Sequence, residues 1–497
     1  MKPITVVAPY SPEPFFQKTL LPLAKSDVVE RVVIVSQQPV QFNMDRCRVL
    51  VTGPLPSRRA LSVILAGIRT DYLLLITRFQ HISIEPGALE RILGLAESRK
   101  AGLVYSDFHE SIEDRNTLHP LNDYQLGSVR DDFDLGAVTL FSVHAIRRAV
   151  EEYGVIPGVQ SAGLYDLRLK VSIDHSIHHV QEPLYSVMRD AGAIHESSLQ
   201  EEMFAYVDPR NEDVQKEMET VFTDYLKKIG AYLPPRSKGT GPPQEPFPVD
   251  ASVIIPVRNR KETIVEAVKS ALSQETDFPF NVIVVDNHST DGTTALLTDL
   301  ARLHPSVKHL VPERTDLGIG GCWNEAIRHK ACGRYAVQLD SDDLYSSRHT
   351  LQKIVDRFRQ DDCAMVIGSY TLVDSSLKEI PPGLIAHREW TDENGHNNAL
   401  RINGLGAPRA FNTRLIREIG FLNVSYGEDY AAGLRICREY RIGRIYESLY
   451  LCRRWPGNTD AALNIEEVNR NNAFKDRLRT EEILARQKIA GDISHGT

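Results

Sequence analysis

Nowhere do the 497 residues offer the roughly 20 consecutive apolar positions that a membrane-spanning helix requires. A helical membrane protein is therefore not expected. A basic excess is missing too: Lys and Arg number 58 against 66 Asp and Glu, giving a formal net charge of -8. That excludes a general nucleic-acid binder, which must neutralise many phosphates with a clustered basic surface. Cysteines are few. Of the six, only Cys47 lies in the first half and none forms a CxxC pair, which argues against a zinc cage and suits a reducing compartment. The opening MKPITVVAPYSPEPFF lacks the charged region and long hydrophobic stretch of a signal peptide. A cytoplasmic location is expected, at most peripheral at the inner membrane face.

What is present suits a folded protein of more than one domain. Hydrophobic residues make up 42% and charged residues 25%, near globular averages. At roughly 150 residues per domain the length allows two to four, and two is the simplest reading. The stretch RSKGTGPPQEPFPVD, Arg236 to Asp250, is rich in Pro and Gly and reads as a linker. Before it, Val214, Met218, Val221, Phe222 and Tyr225 recur at helical spacing, with Gly230 as a stop, which predicts a connecting helix.

After the linker, buried strand runs alternate with helical periods, as in a parallel sheet with covering helices. ASVIIPV precedes a helix marked by Ile264, Val268 and Leu272; NVIVVD, VKHLV, YAVQLD and AMVIGSY follow. The first half repeats this plan. TVVAPYS lies on SVIIPVR with Pro9 on Pro256, VVIVS on VIVVD, and YLLLITRFQ on YAVQLDSDD. Without a gap, Leu135 to Val150 lies on Leu405 to Gly420, and Tyr165 to Tyr185 on Tyr430 to Tyr450. An internal duplication is expected. The predicted organisation is a first α/β domain over 1–195, a helical connector and linker over 196–248, a second α/β domain over 249–460, and a carboxy-terminal helix or tail over 461–497.

The chemistry concentrates in the second half. Asp340-Ser341-Asp342-Asp343 directly follows a strand, and carboxylates at i and i+2 in a loop can converge on one hard divalent cation. An isolated DxD is equally a solvated acidic turn whose last Asp caps a helix. One strand earlier, Asp286 precedes Asn287 to Thr293, where a carboxylate at a strand end can accept hydrogen bonds from a ribose or a base. Ser289 or Asp291 could also simply cap the next helix there.

With these residues in view, Val249 to Asn458 resembles the family 2 glycosyltransferases of GT-A fold. The resemblance rests on an ordered set: VIIPVRNR, VVDNHSTDGT, LGIGGCWNEAI, LDSDD and, at Gly427 to Tyr430, GEDY. It implies two tandem GT-A domains of Rossmann-like, mostly parallel sheet, and an inverting transferase that takes a nucleoside-diphosphate sugar, a UDP-sugar first. Asp340 and Asp342 would hold Mn²⁺ or Mg²⁺, and Asp429 would act as general base with Glu428 as its understudy. Inversion needs the acceptor hydroxyl deprotonated on the face opposite the leaving diphosphate, so one carboxylate must stand apart from the metal pair. The expected nucleotide-sugar contacts are Pro256, Arg258, Asp286, Asp291, Gly321, Asn324, Asp340, Arg453 and Arg454, the arginines because their planar fork binds phosphate oxygens. Where the family often has a histidine after the last strand, this chain has Trp455 and Asn458.

Trp390, in the polar stretch HREWTDENGHNN, is a candidate stacking platform for an acceptor sugar, whereas Trp323 on a helix reads as core. His178 and His179 point to opposite faces of a strand and read as structural. In the first half Ser36 replaces Asp286, Thr77 to Gln80 replace the acidic tetrad, and Gly163-Leu164 replace Glu428-Asp429. The first domain is thus expected to be non-catalytic, a packing partner, an acceptor module or a homodimer surface. Asp107 has no assigned role. The acceptor, whether glycan, lipid or protein, is not written in the sequence. A two-site polymerase and a non-catalytic nucleotide-sugar or glycan binder are the rival readings, the first opposed by the lost acids and the second by the intact DSDD and GEDY.

Overall fold

The computed structural model describes residues 2–77, 80–112, 115–188, 211–235, 238–241, 246–455, 458 and 463–495. These fall into two compact α/β units, one built from residues up to 188, 211–232 and 464–495, the other from 233–463.

In the first unit, β1 (Ile4–Pro9), β2 (Val29–Ser36), β3 (Cys47–Val51), β4 (Tyr72–Ile76), β6 (Leu103–Ser106), β9 (Val138–Ser142) and β10 (Ile177–Val180) form one sheet in the order β10-β6-β9-β4-β1-β2-β3. A small second sheet joins β5 (His81–Ile84), β7 (Phe108–Ile112), β8 (Arg115–His119) and β11 (Tyr185–Met188). β1 reads ITVVAP and is buried at every position, as a strand covered on both faces must be.

The second unit holds β12 (Ala251–Val257), β13 (Phe280–Asp286), β14 (Val307–Leu310), β15 (Tyr335–Gln338), β16 (Leu344–Tyr345), β17 (Met365–Val373), β18 (Glu379–Ile385), β19 (Arg409–Asn412) and β20 (Ile442–Arg453). Their order is β14-β13-β12-β15-β19-β17-β20-β16, with β18 against β17. Pairing is mostly parallel, and β19 runs antiparallel between β15 and β17. The helix Ile264–Leu272 buries Ile264, Ala267, Val268 and Ala271 against this sheet, the spacing of a single helical face.

Registers repeat between the units at the residues that the sequence alignment pairs. Ile4 faces Tyr72 as Ala251 faces Tyr335, and Ser36 stands at the end of β2 where Asp286 ends β13. Leu74 faces Leu140 as Val337 faces Ala410, and Ile177 faces Leu103 as Ile442 faces Met365.

Two boundaries differ from the expected ones. The predicted connector helix forms over Glu212–Lys228 but packs within the first unit, burying Val221, Phe222, Tyr225 and Leu226. The expected carboxy-terminal helix forms over Ile465–His495 and likewise belongs to the first unit. Its Asp476 is fully buried and accepts from Ser128 Oγ at 3.0 Å and Arg130 Nε at 3.1 Å. At Gly127 a Cβ would sit 1.9 Å from the Asp476 carbonyl oxygen, so glycine lets this helix lie close. Sequence order hides both boundaries because the unit is discontinuous and the helix buries paired charges instead of an apolar stripe. Of the linker Arg236 to Asp250, residues 236, 237 and 242–245 lie outside the described residues.

Candidate active site

The acidic loop begins where β15 ends. Gln338, the last residue of that strand, donates from Nε2 to both carboxylate oxygens of Asp340 at 2.9 and 3.1 Å, and the Asp340 amide donates to the Tyr450 hydroxyl at 2.9 Å. Burial holds the Asp340 carboxyl above its ordinary range and Asp342 adds to this, while Arg409, Gln338 and Tyr450 oppose it. Asp343 is pushed well above, first by burial and then by Asp340 and Asp342, and its oxygen receives the Arg453 amide at 2.7 Å. The oxygen Oδ2 of Asp342 is approached by Arg260 Nε at 3.6 Å, Trp455 Nε1 at 3.3 Å and Asn458 Nδ2 at 3.4 Å. The segment after β20 therefore closes onto the loop through the two residues that depart from the family pattern. Among the described residues no group of three or more His, Cys, Asp or Glu side chains is arranged to hold a metal ion.

Glu428 and Asp429 open the helix Glu428–Glu439, where a carboxylate is favoured by the helix dipole. Glu428 is 8% exposed and its Oε2 has no hydrogen-bond partner. Burial first and Asp429 second push its carboxyl up to about 8. Asp429 is more open. Its Oδ2 lies 2.6 Å from Arg409 Nη1, and its Oδ1 accepts the Tyr430 amide at 2.7 Å. For Arg409, burial works against the charge, but Asp429, Asp340 and Glu428 together outweigh it and hold the guanidinium protonated. One cation thus lies among the acids of both motifs.

The other predicted residues fall on strand ends and on the loops and helices that follow them. Pro256 faces Val285 near the end of β12, and Arg258 is exposed in the loop beyond it. Asp286 is 0% exposed, with Oδ1 accepting the Ser289 amide at 3.0 Å and Oδ2 the Thr294 hydroxyl at 2.6 Å, and with His309 at 3.4 Å. Burial raises its carboxyl, yet the bonds from Thr294, Ser289 and His309 bring it below the ordinary range. Asp291 accepts from Thr293 and from the Lys261 amide, the role of a helix cap. Gly321 and Asn324 lie on the helix Ile319–Arg328, which is set against residues 421–424: Asn324 brackets the Phe421 backbone at 2.8 and 3.0 Å. A Cβ at Gly320 would lie 1.9 Å from the Leu422 carbonyl oxygen. This glycine-rich motif therefore positions the chain that leads into Gly427-Glu428-Asp429. Arg453 is buried and turns to Glu266 at 2.8 Å, and Arg454 donates its amide to Val373.

Trp390 corrects an expectation. It is 4% exposed, with the Arg444 guanidinium 5.7 Å from its ring, so no open face remains for a sugar. Trp323 is core, packed on Phe421 at 5.2 Å. His179 is structural as expected, held by Asp107 at 2.7 Å and Asp123 at 2.8 Å, which also gives Asp107 its role. Arg409, Gln338 and Arg260 escaped the sequence reading. For Arg409 a signal existed: it is the only charge in LGAPRAF, a run otherwise fit for a sheet interior, and such a cation needs a buried acid.

Residues 252–419 match the family described as Glycosyl transferase family 2. That match lies wholly within the second unit. Among curated relatives, the chain is 37% identical over 111 residues to a chondroitin synthase of Escherichia coli, covering 22% of this chain and 15% of that protein. It is 31% identical over 130 residues to an uncharacterized glycosyltransferase of Nostoc sp., covering 26% and 39%, and 38% identical over 94 residues to a succinoglycan biosynthesis protein of Rhizobium meliloti, covering 19% and 26%. The chain thus spans well under half the length of these relatives. Solved structures similar to it include S. aureus TarS in complex with UDP-GlcNAc, at 23% identity and TM-score 0.37, covering 48% of this chain and 72% of that one. A mannosyltransferase from Pyrobaculum calidifontis in complex with GDP-Man and Mn2+ matches at 18% identity and TM-score 0.34, covering 61% and 86%. No helix among the described residues is long and apolar enough to cross a membrane.

Proposed function

We propose that the second unit transfers a sugar, with inversion, from a nucleoside-diphosphate sugar, a UDP-sugar first, to a hydroxyl of a glycan, lipid or protein. The observation that carries this reading is the meeting of the two acid motifs at Arg409, whose Nη1 lies 2.6 Å from Asp429 and whose amide bonds the Gln338 side chain that holds Asp340. Asp340 and Asp342 fit a hard divalent cation. They offer oxygen donors only, and burial together with their mutual crowding holds the Asp340 and Asp343 carboxyls above the ordinary range, a repulsion that a cation would relieve. When bound, Mn²⁺ or Mg²⁺ would neutralise charge on the departing diphosphate. Asp429 takes the proton of the acceptor hydroxyl. Glu428, with its carboxyl near 8, keeps its own proton at neutral pH and so leaves that task to its neighbour. Asp286 orders the loop bordering the nucleoside through Ser289 and Thr294.

The first unit, in this reading, is a non-catalytic copy. Matched registers and shared loop bonds support common descent: the Arg58 amide donates to Val159 O as the Gly320 amide donates to Val424 O. Thr77 stands at the place of Asp340; Phe79, at the place of Asp342, lies outside the described residues. In front of the helix Gly163–Asp174, where the other unit has its acids, the Glu217 carboxylate accepts the amides of Gln160, Ser161 and Ala162 at 2.8 to 3.2 Å.

Asp429→Asn tests the assignment. Donor affinity is expected to stay, while turnover falls by about 100-fold or more, the contribution of a positioned base. A larger loss in Glu428→Gln would reverse the roles of the pair.

A further inference from the structure

We propose that Arg409 is a positioning residue that fixes Asp429 in its working orientation and links it mechanically to the Asp340 loop, an inference that rests on the transferase reading above. Arg409 is held from three sides. Its Nη1 donates to the Gly406 carbonyl at 3.0 Å and contacts Asp429 Oδ2 at 2.6 Å, while its backbone amide donates to Gln338 Oε1 at 3.1 Å. The other end of that same Gln338 side chain grips both oxygens of Asp340. With Oδ1 held by the Tyr430 amide, both oxygens of Asp429 are engaged, and the carboxylate is locked in one orientation by charge-assisted bonds. A continuous line of contacts therefore runs from Asp340 through Gln338 and Arg409 to Asp429, joining the two ends of the reaction centre across β15 and β19.

The first unit supplies an independent observation. At register-matched positions Gln338 becomes Leu75 and Arg409 becomes Thr139, and Leu75 and Thr139 still face each other across β4 and β9. Asp340 becomes Thr77, and Glu428-Asp429 become Gly163-Leu164. The whole line is replaced together with the acids, as expected if its members serve one another: a cation left in a sheet interior after its acids are gone is strongly destabilising.

The test is a double-mutant cycle with Arg409→Gln and Arg409→Lys, each alone and combined with Asp429→Asn. Readouts are turnover on a panel of UDP-N-acetylglucosamine, UDP-glucose and GDP-mannose with Mn²⁺, and calorimetric affinity for UDP with Mn²⁺. Arg409→Gln is expected to lower kcat by about 10- to 100-fold while KM and UDP affinity change less than about 2-fold; Lys recovers part, because it restores charge without the fork. In the Asp429→Asn background the same Gln substitution should cost less than about 2-fold, since its partner is already disabled. Losses that multiply in the double variant overturn the inference, as does weakened UDP binding with unchanged kcat, which would place Arg409 at the donor. If both Arg409 variants fail to fold, the role is structural and the inference falls. An Asp429→Asn enzyme with full turnover, or a wild type that cleaves none of the panel, defeats the underlying reading instead.

Discussion

Replacing Glu428 by glutamine should stabilise the second unit, and the gain should grow with pH. In the folded unit the carboxyl stands at about 8 against an ordinary 4.5, because the buried group is desolvated and faces Asp429. Below pH 4.5 it is protonated whether folded or unfolded, and its titration contributes nothing. Between the two values the unfolded chain has released the proton and the folded one has not, so the unfolded state binds fewer protons and stability declines as pH rises. Above 8 both forms are ionised and the loss is complete. The slope approaches about 1.4 kcal/mol per pH unit, so between pH 5.5 and 7.5 Glu428 should cost the unit on the order of 2 kcal/mol that an uncharged glutamine in its place does not.

The assay is urea unfolding followed by tryptophan fluorescence. Trp323, Trp390 and Trp455 all lie in the second unit, so the signal reports that unit without interference from the first. Wild type and Glu428→Gln should differ little near pH 5 and diverge steadily to pH 8. Parallel stability curves would refute the argument, since they would mean that the carboxyl ionises alike in both states. A stabilised variant with lowered activity would add that the buried acid is kept for function at a cost to the fold.

Three further outcomes are expected. Asp340→Ala and Asp342→Ala should each lose metal-dependent affinity for UDP by at least about 10-fold while keeping a native melting curve, as calorimetry with and without Mn²⁺ will show. Gly320→Ala should destabilise the second unit by about 1–3 kcal/mol, because a Cβ 1.9 Å from the Leu422 carbonyl oxygen must push residues 421–424 aside; Trp323, stacked near Phe421, reports the shift in fluorescence. Equilibrium titration should find one metal-dependent nucleotide site per chain, and Glu217→Ala should lower the stability of the first unit by about 1–2 kcal/mol without changing that number; two sites would revive a two-site polymerase.

What the sequence made legible follows from which interactions are local. β12, β13 and β15 announce themselves as continuous apolar runs because both faces are covered, and the acidic loop follows β15 directly, so the DSDD motif and its strand were readable together. Asp340, Asp342, Glu428 and Asp429 were named from short motifs; the structure brings Asp340, Glu428 and Asp429 toward the Arg409 guanidinium, while Asp342 faces Arg260. The motif LGIGGCWNEAI was readable as a motif but not as a device: its glycines and Asn324 act on residues 421–424, about a hundred positions away, and only the close approach at Gly320 reveals that. Trp390 misled for a related reason. Its neighbours in sequence are polar, but Arg444 and Tyr446 of β20 cover it.

Arg409 shows where the limit lies in physical terms. Its meaning depends on β19 inserting antiparallel beside β15, which places its amide on Gln338 and leaves its guanidinium at the start of the helix Glu428–Glu439. No pattern of periods fixes that insertion, because an antiparallel strand amid parallel ones follows from the path of the whole chain. Yet the alignment of the two halves could have disclosed it. A buried strand charge in one unit that is missing at the aligned position of the other marks a place where burial and charge had to be reconciled, and Arg409 set against Thr139 in the alignment is such a position. Comparing the two aligned units therefore points to buried polar networks that motif reading passes over, since a buried charge is not kept once its partner is gone.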